Sequence, residues 1–122
     1  MIIIGILAAI AIPVFLSQRA KAQDSATKAD VSVVGKELAT HYVDSTAVPT
    51  VAIAGAAPNR TYVINGTTLG RVSDGVDSIT LAASPTATTW CVQAANSDGT
   101  TVGTVVGTYK YSATGGLQQG VC

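Results

Sequence analysis

Met1-Ile2-Ile3-Ile4-Gly5-Ile6-Leu7-Ala8-Ala9-Ile10-Ala11-Ile12-Pro13-Val14-Phe15-Leu16-Ser17-Gln18 opens the chain. From Ile2 to Leu16 every residue is apolar, glycine or proline, and Arg19 and Lys21 follow at once. Ten of these side chains are large: Ile2, Ile3, Ile4, Ile6, Leu7, Ile10, Ile12, Val14, Phe15 and Leu16. At roughly 1.5–3 kcal/mol each, burying the set is worth a gross ~15–30 kcal/mol. That figure is an upper bound, yet it exceeds the ~5–15 kcal/mol net stability of a small domain. The apolar residues fall on every side of a helix, so there is no single amphipathic stripe. Such a helix belongs in a bilayer, in a core or among other helices.

Three simple placements compete. As a transmembrane anchor, fifteen residues at about 1.5 Å each give ~22 Å, short of a ~30 Å hydrocarbon core. As a secretory signal, Ala20-Lys21-Ala22 resembles a small-x-small cleavage site, but the basic residues lie on the wrong side of the apolar run. As an ordinary core helix, it would need apolar surface on all sides, and the polar segment downstream supplies little. The remaining placement is a bundle of identical helices from several copies.

Charged residues make up only 11% of the 122, and the net charge is zero. Phosphate binding needs clustered Lys and Arg, so this argues against nucleic acid as the main partner. A neutral surface suits copies packed side by side. The two cysteines, an even number, suit an oxidising exterior. The length fits one domain plus a protruding arm.

Val14 to Asp44 reads as one long helix, with Leu16, Ala20, Thr27, Val31, Val34, Leu38 and Tyr42 recurring mostly three or four apart. Asp24 and Lys28 form an i,i+4 acid–base pair, as do Glu37 and His41. From Ile2 to Asp44 the helix would run ~65 Å. Only its C-terminal half can then pack on a sheet, and the N-terminal half must protrude. His41, the only histidine, reads as a solvated or helix-capping residue, since no second ligand stands at zinc spacing. Residues 45–59, with Pro49, Gly55 and Pro58, read as a loop.

The strands begin near Arg60. Segments 60–65 and 68–73 flank an Asn65-Gly66 hairpin turn, which is a better account of Asn65-Gly66-Thr67 than glycosylation. Asn59-Arg60-Thr61 likewise reads as turn chemistry. Segments 77–83 and 89–95 alternate, and 105–112 is the expected last strand, with Tyr109 and Tyr111 on one face. Val63, Ile79, Leu81, Trp90 or Val92 would cover the helix. The expected fold is α+β, with a protruding helix on an antiparallel sheet of four to five strands.

Gly5-Ile6-Leu7-Ala8-Ala9-Ile10-Ala11-Ile12-Pro13, followed by a short polar run, closely resembles the N-terminal helix of type IV pilins. The resemblance covers nine contiguous residues and extends less specifically to a long helix, an antiparallel sheet and two late cysteines. The runs Pro13-Val14-Phe15-Leu16-Ser17-Gln18-Arg19-Ala20-Lys21-Ala22 and Trp90-Cys91-Val92-Gln93 look most like pilins of Gram-positive bacteria. It implies a structural subunit in two parts: residues 1–22, an N-terminal helix whose apolar residues 2–16 form a filament core or membrane anchor, and residues 23–122, a globular domain that forms the outer wall. It also implies a membrane-held precursor, partners in a pilus assembly machinery, an extracellular filament, and a segment Gly5–Pro13 that melts in assembled filaments. In the lone subunit the expectation is a continuous, gently kinked helix. The family's basic leader, aromatic first residue and early glutamate match no residue here, and Met1 falls inside the family's helix. The expectation is therefore an N-terminally incomplete pilin, with leader-peptidase site and assembly glutamate assigned to no residue.

Alternatives are a type II secretion pseudopilin and a ligand- or DNA-binding minor pilin. A bond between Cys91 and Cys122 would close a loop of about thirty residues, worth roughly 3–4 kcal/mol, and hold a Gly-rich tail (Gly115, Gly116, Gly120) that would otherwise fray. Asp74, Asp77 and Asp98 lack calcium-loop spacing and read as turn residues. No metal or cofactor is called for. A Cys-His nucleophile would have only His41 as base, so no enzymatic activity is expected.

Overall fold

The computed structural model describes residues Met1 to Cys122. One helix, α1 (Ile2–Asp44), is followed by β1 (Val51–Ala54), β2 (Thr61–Ile64), β3 (Thr67–Arg71), β4 (Val76–Leu81) and β5 (Cys91–Asn96). Then come β6 (Thr101–Val102), β7 (Val105–Val106), β8 (Tyr109–Ser112) and β9 (Gly116–Gln119). The fold is α+β, with a long apolar N-terminal helix packed by its later half on antiparallel sheets.

α1 runs 43 residues without a break, and Pro13 lies inside it. A proline at this position removes one bond to the carbonyl of Ala9, and the turns on either side continue. Segment Gly5–Pro13 is helical, as expected for a lone subunit. At the other end Ser45 turns to extended backbone (φ −138°, ψ 143°), and its N–H still reaches the His41 carbonyl at 3.1 Å. The His41 ring nitrogen Nε2 donates to the Ala47 carbonyl at 2.8 Å, and Nδ1 lies 3.4 Å from the Asn65 amide. The histidine thus pins the helix end to the following loop and to the β2–β3 turn. In that turn Asn65 (φ 50°) and Gly66 (φ 79°) both take left-handed backbone, which a two-residue hairpin needs.

The strands depart from the expected single sheet of four to five. They form a three-stranded sheet β1-β2-β3, a four-stranded sheet β4-β5-β8-β9 and a two-stranded ribbon β6-β7. Every pairing is antiparallel. β1 lies within 45–59, which reads as loop because Pro49, Gly55 and Pro58 crowd it. Its four residues Val51-Ala52-Ile53-Ala54 pair with β2 from Val51↔Ile64 to Ala54↔Thr61. The expected last strand at 105–112 is split at Gly107, where φ is 45° and a β-carbon would overlap the Asn96 carbonyl oxygen. Beyond it, the glycine-rich tail forms β9, paired with β8 from Tyr109↔Gln119 to Ser112↔Gly116.

The core joins Val31, Val34 and Leu38 of α1 to Tyr62, Ile64, Val72, Val76, Trp90, Val92, Ala94 and Tyr109. Ile79, Leu81, Tyr42 and Tyr111 pack on its edge. Val63 faces the other way: the period of two on β2 sends Tyr62 and Ile64 inward instead. Thr27, Val31, Val34 and Leu38 are buried as their spacing predicts, whereas Leu16 is exposed and Ala20 half-buried.

Gly35 sets the distance between helix and sheet. A β-carbon there would stand 2.5 Å from Cγ and 2.8 Å from Cβ of Tyr111, whose ring stacks at 6.1 Å on Trp90. Mid-helix Gly→Ala normally stabilises by up to about 1 kcal/mol. Here overpacking, about 1–3 kcal/mol, outweighs that gain. Gly35→Ala should therefore lower stability in urea unfolding, while Gly5→Ala, with open space around it, should not.

Candidate assembly surface

Residues 1–19 are all exposed, and the burial of α1 begins only at Ala20. Ile2 is 80% accessible, Ile10 63% and Phe15 65%, which is what a helix with no neighbour shows. Ile3, Ile4, Ile6, Leu7, Ile12, Val14 and Leu16 are likewise exposed. Gly5, Ala8, Ala9, Ala11 and Pro13 lie between them on the same free helix. α1 is also long and apolar enough, by length and composition, to cross a membrane. The arm is thus an apolar surface that its own chain leaves uncovered.

Where the arm meets the domain, α1 is held by polar side chains. Asp30, buried, accepts three hydrogen bonds: from Tyr62 Oη at 2.7 Å, from the Ser73 N–H at 2.8 Å and from Ser73 Oγ at 2.7 Å. Asp24, also buried, accepts the Thr100 N–H at 2.9 Å. Gln23 Oε1 accepts from Asn96 Nδ2 at 3.0 Å. These bonds tie two loops, β3–β4 and β5–β6, to one short length of helix. The expected partnership of Asp24 with Lys28 is replaced: Asp24 turns inward to Thr100, and Lys28 lies 4.9 Å from the centre of the Tyr109 ring. A signal for Asp24 exists in the spacing, since it stands three residues before Thr27 and seven before Val31 on the buried row.

Cys91 and Cys122 form the disulfide, with Cα atoms 5.9 Å apart and a sequence separation of 31. The Cys122 N–H donates to Gln93 Oε1 at 2.8 Å, so the tail is fastened to β5 twice. No thiol is free. Asp77 accepts the Ser97 N–H at 2.7 Å, and no three Asp, Glu, His or Cys side chains converge to hold a metal. The one concavity is an open groove beside Arg71, Val72, Ser73 and Asp74. Two of those groups are already engaged, Ser73 by Asp30 and Arg71 by the Pro58 carbonyl.

Comparison with family models, curated proteins and solved structures finds no match.

Burial, and then the hydrogen bond and charge of Asp30, push the Tyr62 phenol well above its usual range. Tyr109 is raised by burial and then by Asp24, and Tyr42 by burial alone. Their folded values lie above the unfolded value of about 10, so the un-ionised phenols contribute stability below that pH which is lost as pH rises past it. Stability should fall above about pH 10, with phenolate absorbance from Tyr62 appearing only as the chain unfolds. Asp30→Ala leaves Tyr62 and Ser73 without their acceptor. It should cost on the order of 3 kcal/mol, read from denaturant midpoints.

Proposed function

We propose that this chain is a structural subunit of the type IV pilin kind, which polymerises by burying residues 2–16 among the same residues of other copies. The observation that carries this is the arm: fifteen apolar, glycine or proline residues on one continuous helix, all exposed, projecting from a domain whose own core is complete without them. The motif of residues 5–13 supports the pilin kind in particular. In water such an arm costs too much to leave bare, and Ala8, Ala9 and Ala11 allow close helix approach. The β sheets, fastened by the Cys91–Cys122 bond, form the wall of the filament. The filament stands outside the cell, and the subunit waits in the cytoplasmic membrane, its arm in the bilayer, until an assembly machinery draws it in. The role is structural rather than catalytic.

A second reading rests on the helix alone: the arm is a permanent membrane anchor. Removal of detergent from the purified full chain separates the two. Polymerisation gives long thin fibres in the electron microscope without lipid, and Leu7→Asp with Ile10→Asp abolishes them while leaving the domain's melting unchanged. An anchor gives irregular aggregates that disperse into added vesicles and no fibres, which would overturn the filament reading.

A further inference from the structure

From Lys21 onward the charges on the exposed side of α1 sort into two rows; Arg19, earlier on the arm, falls at the angle of Glu37 but about 27 Å from it along the axis. Taking about 100° per residue, Lys21, Lys28 and Lys36 fall within an arc of about 80°. Glu37 and Asp44 follow Asp30 at seven-residue steps and lie about 140° round the helix from the lysines. All five of these outer charges are exposed. Contacts fix which flank each row occupies. Lys28 lies over Tyr109, so the basic row borders β8 and β9. Asp30 bonds Tyr62 and Ser73, so the acidic row borders the β2–β3 sheet. Between them run Ala22, Ala29, Val33 and Thr40, exposed and small or apolar. Nearby charges do not cancel the pattern. Arg71 is committed to the Pro58 carbonyl, and Asp98 belongs to the loop that Asp24 holds, at the Lys21 end.

We infer that the occupant of this surface is a second copy of the chain, lying parallel, with the lysine flank of one copy against the Glu37–Asp44 flank of the next. This rests on the filament reading and adds the contact that orients the wall. Parallel copies present opposite flanks to each other. A two-fold antiparallel pair, with both outer faces kept outward, would bring like charges together. The contact is therefore head-to-tail, the kind that leaves a free flank at each end and grows an open polymer. The spacings agree as well. Lys28 and Lys36 stand about 12 Å apart along the axis, and Glu37 and Asp44 about 10.5 Å. A shift of about 13 Å along the axis places Lys28 beside Glu37 and Lys36 beside Asp44. Exposed ion pairs are individually weak; their part is to choose orientation and stagger, while arm burial drives association.

The test uses two full-length variants, Lys28→Glu/Lys36→Glu and Glu37→Lys/Asp44→Lys. All four sites are exposed, and circular dichroism melting checks that both fold. Each variant alone has two like-charged flanks. At low salt its critical concentration for assembly, read by sedimentation after detergent removal, should rise on the order of tenfold, and the rise should shrink at high salt. An equimolar mixture restores opposite flanks at every contact and should assemble like the original chain. Either variant assembling normally alone, or the mixture failing to recover, overturns the flank contact and leaves the filament reading standing, because the original chain still polymerises. An original chain that never polymerises overturns both.

Discussion

α1 is about 65 Å long, and the strands cover it only from about Asp24 to Tyr42. That mismatch governs everything else. The covered length is amphipathic and buries Val31, Val34 and Leu38 against Trp90, Val92 and Tyr109. The uncovered length is apolar on all sides and buries nothing. A short helix could have slid into the domain, but a rigid one cannot fold back without breaking its backbone hydrogen bonds. The unsatisfied apolar surface is thus held away from its own core by helical stiffness, and relief must come from outside the chain.

The domain reinforces this by the way it grips the helix. Near the arm the grip is polar, through Gln23, Asp24 and Asp30, each meeting a loop donor or side chain. Farther along it is apolar, and close enough at Gly35 that no β-carbon fits against Tyr111. Hydrogen bonds fix the rotation of the helix about its axis, and the close approach fixes its depth. Together they decide which residues face outward, including both charged rows.

Much of this was legible in the chain. The helix, its end at Asp44, its protrusion, the buried spacing of Thr27, Val31, Val34 and Leu38, and the Asn65-Gly66 hairpin follow from periodicity and turn chemistry. The Cys91–Cys122 bond follows from there being two cysteines. What escaped depends on tertiary neighbours. β1 hides between prolines because a four-residue strand has little pattern of its own and exists by pairing with β2. β9 is mostly glycine and glutamine, and becomes a strand because β8 offers an edge. Val63 and Tyr62 are both plausible core residues, and only the face that β2 turns toward the helix settles which of them is buried. Asp30 looks like an ordinary helix-surface acid until Tyr62 and Ser73 are brought to it by strands more than thirty residues away. The uncovered arm was the most readable part of the candidate surface, since nothing tertiary is needed to make it apolar.

The mixed grip on α1 has a mechanical side. A pull directed along the helix axis, from the arm toward the domain, strains the bonds at Gln23, Asp24 and Asp30 together with the packing at Val31 to Leu38. All of them are loaded in parallel, as in shear, so none can yield first and release the rest. A sideways pull would open the same contacts one after another, like a zipper. The subunit is therefore built to be strong in the direction its own arm points and weak across it.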